Sequence, residues 1–189
     1  MNWWNPGQLN DYEKGLKQFI EGLYSSAEFQ ASFRPFAAKV AEAGRVIATS
    51  ELVLRVTTPG MADIYQGEDL WLWHLLDPHN RRKVDWAERQ RILSEFQAGG
   101  HPSLETVKLW ILWKLLNFRK ANEDAFMAPN SYVPLPSDKD VVGFERTGAC
   151  QVYIGLKPGV ALPQAPEGWH NLLQDATNLG LPIAVYVRS

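Results

Sequence analysis

The amino-acid sequence predicts an α+β fold, with a helical region over residues 1–124 and a small antiparallel β domain over residues 125–189. Two observations support this prediction. Apolar residues recur at helical spacing before residue 124, whereas prolines separate short β-rich runs after it. With 46% hydrophobic and 21% charged residues, the 189-residue chain has the composition of a folded globular protein.

The first predicted element is a helix over residues 10–25. Asn10 is a suitable N-cap, and Glu13 follows three residues later, as in a capping box. Leu16, Phe19 and Leu23 then lie at helical spacing.

A second helix is predicted over about residues 28–43, with Pro35 bending or delaying it. Gly44 is expected to end this helix, because glycine is the commonest residue just beyond a helix. The next segment, RVIATSELVLRVTTPG (residues 45–60), fits a helix or a strand, and periodicity does not separate the two. Its closing Pro-Gly pair stops either element.

A short extended run follows at residues 63–66, and Gly67 closes it. After a loop, WAERQRILSEFQ (86–97) has helical period, and GGHP then breaks the chain. Ser103 is predicted to cap a long helix that continues to about Asn122.

The β domain is predicted from three runs, VVGFER (141–146), CQVYIGLK (150–157) and PIAVYVR (182–188). A linker is expected near residues 122–130. The small size of these runs and the turns between them favour an antiparallel sheet.

Composition also argues against several kinds of partner. A net charge of −2 without a basic stripe argues against nucleic acid. No segment has the roughly 20 apolar residues of a membrane span, and no secretory leader is evident, so we expect a soluble cytoplasmic protein. The single cysteine allows no internal disulfide, and the four scattered histidines lack metal-site spacing. We therefore expect neither a metal nor a cofactor.

The stretch GMADIYQGEDLWLWHLLDPHNRRKVDW (residues 60–86) concentrates carboxylates, an arginine pair and three tryptophans. Flat aromatic rings beside charged groups are typical of a sugar site, although packing beneath a loop is the more common arrangement for rings such as those of Trp71 and Trp73. Helix, short strand, loop and helix is also the order of one unit of a (β/α) barrel, in which loops after the strands form the active site. A complete barrel takes about 250 residues, so this chain is too short to be one.

TPGMADIYQGEDLW (residues 58–71) and LLDPHNRRKVDW (75–86) resemble the end of the barrel in maltooligosyl trehalose synthases of the α-amylase superfamily. The resemblance extends upstream to WWNPGQLNDYEKGLKQFIEGL (3–23) and downstream through the RQRIL and LWILWKLLNFRKAN helices to GFER. It implies that the helical region derives from the last units of a (β/α)8 barrel. The chain would then be the C-terminal third or less of such an enzyme.

These enzymes convert the terminal α-1,4 linkage of a maltooligosaccharide to α,α-1,1 by intramolecular transglycosylation. The resemblance implies a retaining double displacement that uses two carboxyl groups. Those groups lie on earlier barrel strands in the family, so we expect no catalytic residue here and no activity from the chain alone. The implied substrate-binding residues are Tyr65, Gln66, Asp77, Asn80, Arg81 and Arg82.

Several positions depart from the family pattern: Met61-Ala62 replaces Val-Pro, Leu72 and His79 each replace an Asp, and Lys83 replaces Pro. Loss of the acid at position 72 removes a plausible acceptor for a sugar hydroxyl. For Arg81 and Arg82, the alternative to sugar contact is an ion pair that holds the loop to Asp77 or Asp85.

Two classes of function therefore stay open at the level of sequence. The chain is either a fragment of the glycosyl-transferring enzyme, inactive alone, or a non-enzymatic domain that binds glucan or a partner. An isolated end of a barrel would leave apolar surface bare, so we expect self-association or pairing with the N-terminal barrel portion.

Overall fold

The computed structural model describes residues 10–73, 83–128 and 130–188. The chain divides into two compact units, Met1–Glu42 and Ala43–Ser189. Its helices are α1 (Asp11–Ser25), α2 (Ala27–Thr57), α3 (Trp86–Gln97), α4 (Val107–Ala121), α5 (Glu123–Met127) and α6 (Gln174–Asn178). Its strands are β1 (Tyr132–Pro134), β2 (Val141–Arg146), β3 (Cys150–Gly155), β4 (Trp169–Asn171) and β5 (Ile183–Arg188).

Helix α1 begins with the predicted capping box. The Glu13 amide donates to the Asn10 side-chain oxygen at 2.8 Å, and the Asn10 amide donates to the Glu13 carboxylate at 2.9 Å. Two amides that the helix leaves free at its start are thus paired. No residue of α1 is buried.

Helix α2 does not end at Gly44, so the predicted boundary is wrong. The helix continues to Thr57, so the ambiguous segment that begins at residue 45 is helical. The helix also contains Pro35. Residues at helical spacing beyond the glycine, among them Val46 and Val53, are buried, and this packing overrides the local preference of Gly44. The helix ends where expected, before Gly60, whose φ of 108° lies in the left-handed region.

Helix α3 has the predicted bounds, and its N-cap Asp85 accepts a hydrogen bond from the Glu88 amide at 3.0 Å. Helix α4 begins later than predicted. Ser103 closes a turn instead of capping the helix, because its carbonyl accepts from the Thr106 amide at 3.1 Å. The segment expected to be a linker contains the short helix α5.

The extended run at residues 63–66 pairs with no strand among the described residues, so the predicted strand is wrong. The run turns at once, since the Glu68 amide donates to the Tyr65 carbonyl at 3.0 Å. An extended segment becomes a strand only when a neighbour supplies hydrogen-bond partners.

In the described part of the chain, the sheet of the β region has five strands in the order β1-β2-β3-β5-β4, and every pair is antiparallel. Strands β2, β3 and β5 coincide with the three predicted runs. Strands β1 and β4 have three residues each and, like α6, were not predicted. The described chain therefore has a helical part and a small antiparallel sheet, as the α+β prediction states.

Both faces of the sheet are covered within the unit Ala43–Ser189. One face shares a core with the end of α2, with α3, α4 and α5, including Val53, Ile92, Trp110, Phe126, Phe144 and Val152. The other face has a smaller cluster that includes Tyr153 and Tyr186. The larger core contains residues from both sides of residue 125. The predicted division into two domains between residues 124 and 125 stays a prediction.

Candidate functional site

An open groove of about 470 Å³ lies where α2 ends and the following segment turns. The described residues that line it lie between positions 55 and 68: Arg55, Thr58, Pro59, Met61, Asp63, Tyr65 and Glu68. Most of these side chains are polar, and the groove is formed within the compact unit Ala43–Ser189.

The groove contains one of the predicted site residues. Tyr65 lines it with 42% of its surface exposed. Gln66 is exposed next to Tyr65 but is not a lining residue. Asp77, Asn80, Arg81 and Arg82 lie outside the described residues.

Arg55 supplies the positive charge of the groove. Its Nη1 lies 2.9 Å from Glu68 Oε2, and its Nη2 lies 3.7 Å from Glu51 Oε2. The guanidinium is therefore held between two carboxylates, and one of them lines the groove. The sequence analysis did not single out Arg55, which lies 13 residues away from Glu68.

The remaining groove groups suit a ligand with many hydroxyls. Asp63 presents an exposed carboxylate that accepts hydrogen bonds. The Thr58 hydroxyl donates to the Leu54 carbonyl at 2.7 Å, so its lone pairs are free to accept from a ligand. The Tyr65 ring adds an apolar surface with a phenolic hydroxyl. Acceptors, a guanidinium donor and one aromatic surface are thus gathered in one groove.

A nearly buried ion pair supports the far end of this segment. Arg89 Nε, on α3, lies 2.6 Å from Asp69 Oδ2, and the side chains are only 16% and 12% exposed. The two atoms are in charge contact without the alignment of a hydrogen bond. Arg89 also donates through Nη2 to the Gly67 carbonyl at 3.3 Å. Arg89 of α3 therefore contacts the residues on both sides of the groove-lining Glu68.

Gly67 provides a turn between the groove-lining residues Tyr65 and Glu68. Its φ is 89°, in the region that L side chains rarely adopt, and it is buried. A backbone conformation of this kind accounts for glycine at position 67. The following Asp69 is buried and paired with Arg89.

The two tryptophans that follow differ in their surroundings. The Trp71 indole donates to the Leu104 carbonyl at 2.7 Å, and the Lys108 ammonium lies 5.4 Å from the Trp71 ring centroid. Burial lowers the pKa of Lys108, while Glu68 and Asp69 oppose that shift. Trp71 therefore packs beneath the segment, whereas Trp73, 6.4 Å from it between ring centroids, is 75% exposed.

Other candidate chemistry is limited in the described part of the chain. Burial raises the pKa of the Cys150 thiol to about 12, so the reactive thiolate is scarce near neutral pH. Among residues 10–73, 83–128 and 130–188, no group of three or more His, Cys, Asp or Glu side chains is arranged to hold a metal ion. Within those same ranges, none of the helices has the length and apolarity needed to cross a membrane.

Curated relatives and solved structures agree on one family, although no family model matches the chain. Proteins of two Mycobacterium tuberculosis strains, CDC 1551 / Oshkosh and H37Rv, are named maltooligosyl trehalose synthases. Each is 35% identical to this chain over 103 residues, which is 52% of the chain and 12% of the relative.

A solved maltooligosyl trehalose synthase from Sulfolobus tokodaii matches this chain with a TM-score of 0.74 at 26% identity. The match covers 94% of this chain and 25% of the Sulfolobus tokodaii chain. A second solved maltooligosyl trehalose synthase has a TM-score of 0.78 at 25% identity, covering 96% of this chain and 27% of its own. A glycosyltrehalose synthase of strain DSM5389, at 23% identity and a TM-score of 0.75, shares the fold.

The described fold matches one limited region of proteins that are much longer than this chain. The resemblance of the chain to maltooligosyl trehalose synthases is confirmed. The chain spans 12% of the length of the curated relatives and 25% to 27% of the solved ones.

Proposed function

We propose that the chain supplies the C-terminal part of a maltooligosyl trehalose synthase. In this proposal, residues 1–124 come from the last units of a (β/α)8 barrel, and residues 125–189 form the β domain behind it. The observation that carries the proposal is the match of nearly the whole chain to two solved proteins of that name, at TM-scores of 0.74 and 0.78.

The proposed ligand is a maltooligosaccharide, an α-1,4-glucan. Its pyranose rings have an apolar face and a rim of hydroxyls, which suits the Tyr65 ring beside the Arg55–Glu68 pair and the Asp63 carboxylate. Tyr65 and Gln66 would contact sugar from this side. Asp77, Asn80, Arg81 and Arg82 are proposed as further substrate contacts because they lie in the matching sequence motif.

The chain is proposed to be inactive alone, because the family's two catalytic carboxyl groups belong to earlier barrel strands. The test is incubation of the purified chain with maltopentaose, followed by chromatographic separation of the products. We expect unchanged maltopentaose. Formation of a trehalose-capped product by the wild-type chain, together with its loss in Asp63→Asn or Glu68→Gln, would contradict the proposal.

A non-enzymatic glucan-binding domain is the second candidate. One observation favours it: the described residues that line the groove lie within positions 55–68, so one short segment of this chain presents its charged and aromatic groups together. Weak binding of maltopentaose in the absence of turnover fits both candidates. Restored turnover on adding the missing barrel portion fits only the enzyme fragment.

Glucan contact at the groove is tested by titration calorimetry with maltopentaose. Tyr65→Ala is expected to weaken binding about 5-fold, since stacking on one aromatic ring contributes about 1 kcal/mol. Tyr132→Ala is the matched control, because Tyr132 on β1 is 40% exposed and Tyr65 is 42% exposed. Equal affinity in all three proteins would remove Tyr65 from the proposed site.

A further inference from the structure

The compact unit Met1–Glu42 presents two stripes of large apolar side chains. On α1 the stripe is Leu16, Phe19 and Ile20, and on α2 it is Phe29, Phe33, Phe36 and Val40. The spacing of each stripe places its members on one helix face. We call these seven residues the N-terminal apolar face.

This face is largely open to solvent. Phe19 is 62% exposed, Phe36 is 63% exposed and Val40 is 53% exposed. Within it, the Phe29 and Phe33 rings are stacked, with centroids 5.2 Å apart and an interplanar angle of 12°. Rows of large exposed apolar side chains at helical spacing are unusual on a soluble monomer and are typical of a surface that another molecule covers.

The solved relatives indicate what kind of molecule covers such a face. Their match takes in 94% to 99% of this chain, which leaves little of the N-terminal unit outside it. In each of those proteins the matched region is only about a quarter of the polypeptide. The equivalent helices therefore belong to molecules with far more protein to pack against.

We propose that the N-terminal apolar face docks onto the polypeptide that forms the remaining part of the maltooligosyl trehalose synthase fold, whether that polypeptide is covalently joined or separate. Burial of its aromatic rings supplies the driving force, because transfer of apolar surface out of water is the main favourable term in association. The inference rests on the family resemblance that underlies the proposed function, but it does not depend on glucan binding.

The first test is co-expression of the tagged 189-residue chain with the Sulfolobus tokodaii protein lacking its matched region, followed by affinity capture without any sugar. We expect the two polypeptides to copurify. The double variant Phe19→Ser/Phe36→Ser should weaken the association at least 10-fold. Leu156→Ser is the matched control: this residue lies in the other compact unit, is 51% exposed, and should leave association within 2-fold of wild type.

Equal weakening by the double variant and by Leu156→Ser would overturn the assignment of the face. So would a wild-type chain that forms dimers through Phe19 and Phe36 and does not bind the barrel polypeptide, because the occupant would then be a second copy. Calorimetry with maltopentaose on the double variant separates the two proposals. Unchanged glucan affinity with lost docking supports the face, whereas intact docking with no glucan affinity counts only against the groove.

A second measurement decides the matter if the truncated relative is insoluble. In a chimera, this chain replaces the matched region of the Sulfolobus tokodaii protein, and hydroxyl-radical labelling then reports the accessibility of Phe19 and Phe36. We expect at least 5-fold slower labelling in the chimera than in the free chain. Equal labelling rates in the two proteins would overturn the proposal.

Discussion

Replacing Asp69 with asparagine removes the negative charge that faces Arg89 and keeps the shape of the side chain. In the wild-type protein Arg89 Nε lies 2.6 Å from Asp69 Oδ2, and the two side chains are 16% and 12% exposed. The variant leaves the guanidinium without its carboxylate in a place that water scarcely reaches. Asp69→Asn is therefore expected to destabilise the fold.

The magnitude follows from the burial of the pair. Removal of one partner costs about 3–5 kcal/mol in a fully buried pair, whereas an exposed pair contributes only about 0–1 kcal/mol. Because Asp69 and Arg89 keep a small exposed fraction, we expect the free energy of unfolding to fall by about 2–3 kcal/mol. In a chain of this length that loss lowers Tm by roughly 5–10 °C.

Thermal unfolding followed by circular dichroism measures this loss, and a double-mutant cycle isolates the pair. Asp69→Asn, Arg89→Gln and the double variant should give a coupling energy of at least about 1 kcal/mol. The matched control is Glu88→Gln on the same helix. Glu88 pairs with Arg91 at 2.7 Å, but these side chains are 42% and 55% exposed, so Tm should not change measurably.

A coupling energy near zero would refute this reasoning. It would mean that the contact between Arg89 and Asp69 contributes no more than a surface pair, and that other contacts fix the segment after the groove. A fall in Tm for Glu88→Gln as large as that for Asp69→Asn would refute the reasoning equally, since burial would then not decide the outcome.

Three further predictions concern single positions. Gly67→Ala should lower the free energy of unfolding by about 1–2 kcal/mol, because the φ of Gly67 is 89°. Gly22 lies in the open on α1, so Gly22→Ala should stabilise that helix by up to about 1 kcal/mol. In thermal unfolding the two variants should therefore shift Tm in opposite directions. The Cys150 thiol should resist Ellman's reagent at pH 8 until the protein is unfolded. Burial raises the pKa of this thiol from 9.0 to about 12, so its contribution to stability is complete below pH 9 and is lost as the pH rises toward 12. This fall in the free energy of unfolding with pH should be absent in Cys150→Ala. Asn10→Ala should cost the α1 cap about 1 kcal/mol, seen as reduced ellipticity at 222 nm, and an unchanged spectrum would contradict the capping box.

Local sequence signals were sufficient to predict the bounds of an element where the residues that set those bounds lie in or next to the element. Helix α3 has the predicted bounds because Asp85 caps its start and glycines follow its end. Helix α2 was predicted too short because burial of Val53 and its neighbours, which depends on the rest of the fold, outweighs Gly44. The run at residues 63–66 has strand-like composition, but a strand also needs a partner, and sequence alone does not supply one.

The candidate site shows the same division. Tyr65 was predicted from a contiguous motif, and the structure places it in the groove. Arg55 and Arg89 were not singled out, because each reaches Glu68 or Asp69 from a helix well separated in sequence. The local motif pointed to Tyr65 as a candidate for ligand contact, which stays a prediction, whereas the residues that hold the segment in place become visible only when the helices are packed.

The position of β5 in the sheet determines the order in which the sheet can fold. Strands β2 and β3 are joined by the short turn at residues 147–149, so this hairpin closes a small loop and can form early. Among the described residues, strand β4 pairs with β5 alone, and β5 lies between β3 and β4. A nascent chain must therefore expose residues 183–188 before β4 finds any partner. Until then the open edge of β3 is available to other chains, so the period before β5 docks is the one most prone to misassembly.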